Sequence, residues 1–343
     1  MLFSEILGQK TAKKFLKQVM AHEKIPHAYL FTGIQGVGKM STARALSMAL
    51  NCTEPENGES CDHCRSCRQM RSGNFPDFLS ITPDGQNIKI DQIRDLNHKL
   101  DFAPVSGKYR ICVVHHAETM TVEAANSFLK ILEEPPPGNI LILNTTEPLD
   151  LLPTIVSRCQ RISFHPLSIK EISKWLIKNR KIDEEMAIVL AKISEGSLGR
   201  ALKMSESDFL NKRQEWLFSV MKLPGLSRIE ALELAHNLAG EVKKAVLDPS
   251  DTSEPGIMDM LDAWENWYRD LLILSAGGHP SLLINEDFSH QLKNMAGTYK
   301  VSTLIESLVA IDQAQRDLTK MRNLSIVMEH MILRLKGLSE HGN

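Results

Sequence analysis

Ala28-Tyr29-Leu30-Phe31-Thr32-Gly33-Ile34-Gln35-Gly36-Val37-Gly38-Lys39-Met40-Ser41 is the stretch that decides the fold. Its apolar run, Ala28 to Phe31, ends at Gly33, and Ser41 to Leu50, rich in alanine and leucine, reads as a helix. Strand, turn and helix in that order are the setting that G-x-x-x-x-G-K-[ST] requires, and Gly33 to Lys39 matches its first seven positions. Glycines let backbone N–H groups turn inward around phosphate, the helix start adds a favourable dipole, and the lysine reaches the outer phosphates. A glycine-rich turn with no ligand has no need of the lysine. The eighth position is Met40, whose thioether is a poor ligand for a hard cation such as Mg²⁺, and Ser41 comes one residue late.

Ile111 to Val114 and Ile140 to Leu143 are further compact apolar runs, of the kind that form buried parallel strands. Helical patterns separate them, at residues 10–20 and at Val122 to Leu132, which stops at Pro135-Pro136-Pro137-Gly138. This alternation predicts an α/β domain with right-handed crossovers. A phosphate-loop enzyme carries adjacent carboxylates after the next strand, one for Mg²⁺ and one for the attacking water. Here Arg110 to Val114 runs into His115-His116-Ala117-Glu118, so imidazoles hold both positions, and Glu118 is not expected to substitute. Neighbouring strand residues point to opposite faces, which argues against one metal shared by His115 and His116. Two losses in one site predict that ATP is not hydrolysed here.

The texture changes near Pro166, after which the pattern is helical and almost free of strand signal. Ser168 to Asn179 and Glu184 to Ser194 are predicted helices, and Gly199 to Met204 opens a third. The last segment spaces Leu304, Leu308, Ile311, Leu318, Leu324, Met328, Met331 and Leu335 mostly at helical steps. Asp248 to Gly256 reads as an exposed loop.

With 343 residues the chain fits two or three domains, and its 43% hydrophobic and 24% charged residues are those of a globular protein. A formal net charge of -2 argues against a protein that holds nucleic acid by bulk electrostatics, so any DNA contact must come from a local patch or a shared assembly. The start does not read as a signal peptide, and no stretch reaches the roughly 18 apolar residues of a membrane helix, so the expected compartment is cytoplasmic. Six cysteines in that setting point to metal ligands or buried thiols before disulfides. Cys52-x8-Cys61-x2-Cys64-x2-Cys67 offers four thiolates around a polar loop that has no apolar core of its own, so a metal would order it. Four thiolates suit tetrahedral zinc, although the spacing alone also admits an iron–sulfur cluster, or His63 replacing one thiol. Cys112 and Cys159 read as small buried hydrophobes.

Further motifs follow in order: Ile6-Leu7-Gly8-Gln9, His27 to Gly33, Phe128-Leu129-Lys130-Ile131-Leu132-Glu133-Glu134-Pro135-Pro136, Asn144 to Pro148, Ser157-Arg158-Cys159 and Gly196 to Ala201. Together they resemble the bacterial DNA polymerase III clamp loaders of the AAA+ class over residues 1–205; beyond that the likeness is helical character and the segment Trp264 to Leu272. The altered Met40 and His115-His116 positions resemble the delta-prime type of subunit, while Lys39 and the complete glycine pattern depart from some of its members. The resemblance implies a parallel-sheet AAA+ domain over 1–165 with a zinc insert at 52–67, a helical lid over 166–207 and an all-helical collar over 208–343. It implies structural zinc on Cys52, Cys61, Cys64 and Cys67, and a degenerate nucleotide site at Gly33, Gly36, Gly38, Lys39, Met40, Thr145 and Arg200, open to ATP or ADP without turnover. It makes Arg158 an arginine finger acting in trans on the ATP site of a neighbouring subunit. The implied partners are gamma/tau and delta subunits, with the sliding clamp and primer-template DNA reached through the complex, a nucleotidyltransferase assembly. The alternatives are an active ATPase of the gamma/tau type and a zinc-containing interaction module.

Overall fold

The computed structural model describes residues 2–22, 24–246, 255–320 and 322–340; most of the loop expected at Asp248 to Gly256 lies outside them. The chain divides into two compact units, Met1–Trp175 with Glu195–Arg200, and Leu176–Ser194 with Ala201–Asn343.

The first unit is built on five parallel strands, β1 (Ala28–Thr32), β2 (Phe78–Ile81), β3 (Arg110–Val114), β4 (Asn139–Thr145) and β5 (Gln160–Ser163). Their order across the sheet is β2-β3-β4-β1-β5, so the strand that feeds the glycine loop lies inside the sheet. Every residue of β1, β3 and β4 is buried, which is why these three read as unbroken apolar runs. The sheet separates two apolar layers. On one side Tyr29, Phe31, Ile111, Val113, Ile140 and Ile142 pack with α1 (Lys10–Ala21) and α2 (Lys39–Leu50) through Leu16 and Leu46. On the other, Leu30, Cys112, Val114, Leu141 and Leu143 pack with α4 (Ile90–Leu100) and α5 (Val122–Glu133) through Ile93, Leu96, Phe128 and Ile131. Between the strands of this unit also lie α3 (Arg65–Arg71) and α6 (Pro153–Val156). The Thr121 hydroxyl caps α5 by accepting from Ala124 N.

One buried carboxylate organises the edge of this sheet. Asp77 is fully buried and accepts from the backbone N–H groups of Val105, Ser106 and Gly107 at 2.8, 2.6 and 2.8 Å, with Arg110 at 3.4 Å. Arg110 in turn donates to the carbonyls of Lys99, Phe102 and Ala103. A loop of polar backbone is thereby satisfied inside the protein.

In the second unit the described residues form helices, chiefly α8 (Glu184–Ile193), α10 (Phe209–Lys222), α11 (Arg228–Val246), α12 (Ile257–Ser275), α13 (Ser289–Ala296), α14 (Val301–Thr319) and α15 (Leu324–Glu340). Two further helices, α7 (Ile169–Arg180) and α9 (Leu198–Glu206), have residues in both units. Trp264 and Trp267 of α12 fill the core, and the Trp264 indole N–H donates to Trp216 O at 2.9 Å. Asp270 on α12 is fully buried and accepts from Ile284 N, Asn285 N and the Asn285 amide. Asn285 also accepts from Arg213, which pairs with Asp287 at 2.6 Å.

Candidate nucleotide pocket and metal centre

The carboxyl ends of β1, β3 and β4 lie along one edge of the sheet, where open α/β folds bind ligands. Gly33 leaves β1 there and donates its N–H to Thr145 O at 3.2 Å, tying the loop to the end of β4. Gly36 has φ +73°, and a Cβ on it would come within 2.4 Å of Ser197 Oγ, so no other residue fits without displacing that turn. Two carbonyls of the loop accept from the turn after α8: Gly199 N donates to Gly36 O at 3.0 Å and Ser197 Oγ to Gln35 O at 2.8 Å. Gln9 braces the other flank by donating to Val37 O at 3.3 Å and His165 O at 2.7 Å. Gln9 and Ser197 were visible in sequence only as parts of motifs; their hydroxyl and amide bonds to the loop depend on the fold.

Gly38, at φ +111°, precedes α2, and Lys39 opens that helix. The Lys39 ammonium donates to the carbonyls of Gly33 and Ile34, the second at 3.0 Å, and so crosses the mouth of its own loop. Burial lowers its pKa to about 8, and the charge of Glu118 works against that fall. Met40 packs against the apolar layer under α2 and offers no oxygen.

Strand alternation puts Asn144 on the α2 side of the sheet with Ile140 and Ile142, and Thr145 on the other, where its hydroxyl donates to Glu147 O at 3.0 Å. Thr145 therefore meets the loop through its backbone carbonyl. His115 continues β3 by donating its N–H to Ile81 O at 2.8 Å. Its imidazole pKa is lowered, first by burial and then by His116, Arg44 and Lys39, so a neutral ring stands where a carboxylate would bind cation. His116 adopts φ +48° and turns the chain into the short helix Ala117–Thr119. That turn returns Glu118 to the sheet edge, with Oε1 3.3 Å from Thr146 Oγ1 and 3.4 Å from His116 Nδ1. Arg200 sits at the start of α9, 3.6 Å from Glu195, with its N–H donating to Ser197 Oγ.

Arg158 follows α6. Its guanidinium, about a third exposed, donates to Glu133 Oε1 at 2.9 Å and Thr154 O at 3.1 Å. Cys159 beside it packs against the α5 layer, where burial pushes its thiol up to about 12.

The four thiols Cys52, Cys61, Cys64 and Cys67 come together with their sulfurs all within 4.8 Å of one another. Tetrahedral zinc with Zn–S bonds of about 2.3 Å needs sulfurs about 3.8 Å apart, so the set fits that ion. Cys61 N donates to Cys52 Sγ and Cys64 N to Cys61 Sγ, at 3.2 and 3.3 Å, the local turns that gather the ligands. Cys64 caps α3 and Cys67 is buried within it. Burial opposes ionisation of Cys64, but hydrogen bonds from Thr53 and Cys67 outweigh it and bring the thiol to about 6. His63 is exposed and turned to Cys61 O and Glu54, forming a second, outer group of Glu54, Cys61 and His63.

A glycine loop between β1 and α2, crossed by its lysine at the edge of a β2-β3-β4-β1-β5 parallel sheet, defines a phosphate-loop protein of the AAA+ type. The family described as DNA polymerase III, delta subunit, matches residues 8–168. The delta' subunit of DNA polymerase III from Bacillus subtilis is 31% identical over 96% of this chain and 96% of its own. The tau subunit from the same organism is 28% identical over 93% of this chain but only 54% of its own. Among solved structures, a gamma-subunit-related protein of Thermotoga maritima aligns with 96% of this chain and 99% of its own, at TM-score 0.48 and 20% identity. The chain belongs to the DNA polymerase III delta' family of clamp-loader proteins. Among its described residues, no helix is long and apolar enough to cross a membrane.

Proposed function

We propose that this chain is the non-hydrolysing delta-prime-type subunit of a clamp loader, which helps place the sliding clamp on primed DNA and lends Arg158 to a neighbouring ATPase subunit. The observation that carries this reading is the composition of its own pocket. The phosphate cradle is complete, but Met40, neutral His115 and His116 occupy the positions that should hold Mg²⁺ and orient water. Such a pocket can hold ATP or ADP on the loop N–H groups and Lys39 with Arg200 nearby, without turning it over. Arg158 is partly exposed and held by one surface carboxylate, a pair worth about 0–1 kcal/mol, so it can be drawn to a stronger anion. A permanent planar cation then meets charge developing on the transferred phosphoryl group. The partners are the gamma/tau and delta subunits, with clamp and primer-template DNA met through the assembly. Residues 166–207 serve as lid and 208–343 as collar. Zinc on Cys52, Cys61, Cys64 and Cys67 locks the 52–67 insert, for which the four convergent sulfurs are the support.

The test assembles the loader from its ATPase subunits with this chain or its Arg158→Ala variant and measures clamp-stimulated ATP hydrolysis. The ATP site facing Arg158 is expected to lose on the order of 10³ in rate, and total turnover to fall by that site's share. Unchanged hydrolysis in an intact assembly would remove Arg158 from the mechanism. Turnover by the chain alone would instead identify an active ATPase of the gamma/tau kind.

A further inference from the structure

The apolar layer under α1 and α2 is left partly open at one place in the first unit. Met20 of α1, Ile25 after it, Leu50 of α2 and Tyr109 before β3 pack on that layer yet stay only half-buried. They line a groove of about 840 Å³, within the roughly 300–1,000 Å³ of pockets that enclose a ligand. Its walls are held by contacts within the chain. Asn51 donates to Tyr109 O at 3.0 Å and accepts from Tyr109 N at 2.9 Å. On the side of the cysteine insert, Lys17 pairs with Glu59 at 2.7 Å, and the same carboxylate accepts from Phe3 N at 2.8 Å. A Cβ on Gly58 would stand 3.2 Å from the Lys17 side chain, so this turn lies directly against α1. The charge of the lining has one sign. Lys14, Lys17 and Lys108 belong to it, and among the described residues no carboxylate does; Glu54 and Glu56 are exposed on the insert but outside the groove. Lys17 is engaged by Glu59, whereas Lys14 and Lys108 are exposed and pair with no carboxylate among the described residues.

We propose that this groove docks an acidic segment of a partner protein, which seats a large apolar side chain on Met20, Ile25 and Leu50 and sets its carboxylates against Lys14 and Lys108. Burial of the apolar side chain supplies affinity, and the lysines select the sign of the partner and steer its approach. The backbone groups of Tyr109 are already taken by Asn51, so the segment is read through its side chains and not added as a strand. Nucleic acid, the other polyanion, fits less well. The Lys108 ammonium stands 5.4 Å from the centre of the Tyr109 ring and covers a face on which a base would stack. Met20, Ile25 and Leu50 offer no hydrogen bond to a base edge. The groove lies within the first unit and includes neither the glycine loop nor Arg158, so this inference stands apart from the nucleotide and arginine-finger readings.

The experiment titrates the full chain into a fluorescein-labelled peptide, Asp-Leu-Glu-Phe-Asp-Leu, and follows anisotropy. The lysine counterpart, Lys-Leu-Lys-Phe-Lys-Leu, and oligothymidylate are labelled and titrated alongside. Wild type should bind the acidic peptide, losing several-fold as salt rises from about 0.05 to 0.3 M. The lysine peptide should bind at least about tenfold less tightly. Joint Lys14→Glu and Lys108→Glu substitution, at two exposed positions, should weaken the acidic peptide about tenfold with the melting temperature unchanged. Met20→Ala should weaken it about threefold to tenfold, and Met20→Leu should bind nearly as wild type does. No saturation of wild type up to about 1 mM peptide overturns the proposal, as does equal binding by the double lysine variant. Tighter binding of oligothymidylate, lost in that variant, would make the groove a nucleic-acid site. Self-association of the free chain that the same variant abolishes would seat a second copy there. Either result overturns the acidic partner.

Discussion

A histidine where a carboxylate is expected changes the sign of the local pH response. His115 is half-buried beside His116, Arg44 and Lys39, all cations or potential cations, and its pKa falls below the ordinary 6.5. Below pH 6.5 the unfolded chain binds a proton on this ring that the folded chain resists, so folding weakens as the pH drops through that range and is unaffected above it. Urea unfolding at a series of pH values between about 5 and 8 should show this loss in the wild type and a smaller one in His115→Asn. Equal slopes for both proteins would mean that the ring is freely solvated. On the proposed reading the same substitution would account for a loss of hydrolysis, since a neutral imidazole supplies no anionic oxygen for Mg²⁺.

At the scale of elements, the sequence disclosed what was buried on both faces and hid what lay at an edge. β1, β3 and β4 occupy the interior of the sheet, buried throughout, and each carries an unbroken apolar run, so their positions were plain. β2 and β5 are the two edge strands; in Gln160–Ser163 only Ile162 is buried, and four residues with one apolar anchor give no run to read. The glycine loop and the cysteine set were legible because their chemistry depends on residue type and spacing. Glu118 was not, since its return to the sheet edge depends on the left-handed backbone at His116. The insert makes a sharper prediction. Glu54, Pro55, Glu56 and Asn57 are exposed, and the closing turn is held to the rest by contacts such as Lys17–Glu59 at 2.7 Å. A metal joining Cys52 to α3 would therefore carry most of the order in this segment. Purified chain should hold about one zinc, and Cys67→Ser should lose it and cost the first unit about 3 kcal/mol or more. Metal analysis together with calorimetry decides this; a metal-free chain that melts like the variant would leave the four thiols without that role.

For the molecule as a whole, each of the two units has its own core and its own fully buried carboxylate. Asp77 ties a loop to the sheet edge of the first, and Asp270 ties residues 284 and 285 to α12 in the second. Burial pushes the Asp270 carboxyl up, while the N–H groups of Asn285 and Ile284 pull it down, so these donors are what make its charge tolerable inside. Removing either acceptor leaves several buried N–H groups without a partner, a loss of about 3–5 kcal/mol. The optical probes are unevenly placed: of the 4 tryptophans, Trp216, Trp264 and Trp267 fall in the second unit and Trp175 in the first. Tryptophan fluorescence thus follows mainly the second unit, and a zinc-release dye follows the first. In urea, Asp270→Ala should move the fluorescence midpoint to lower denaturant and leave zinc release near its wild-type position. Asp77→Ala should do the reverse. Two cores that each satisfy their own buried polar groups should melt as two cooperative bodies. If either variant shifts both probes by the same amount, the chain unfolds as one body, and the division into units describes packing without thermodynamic independence.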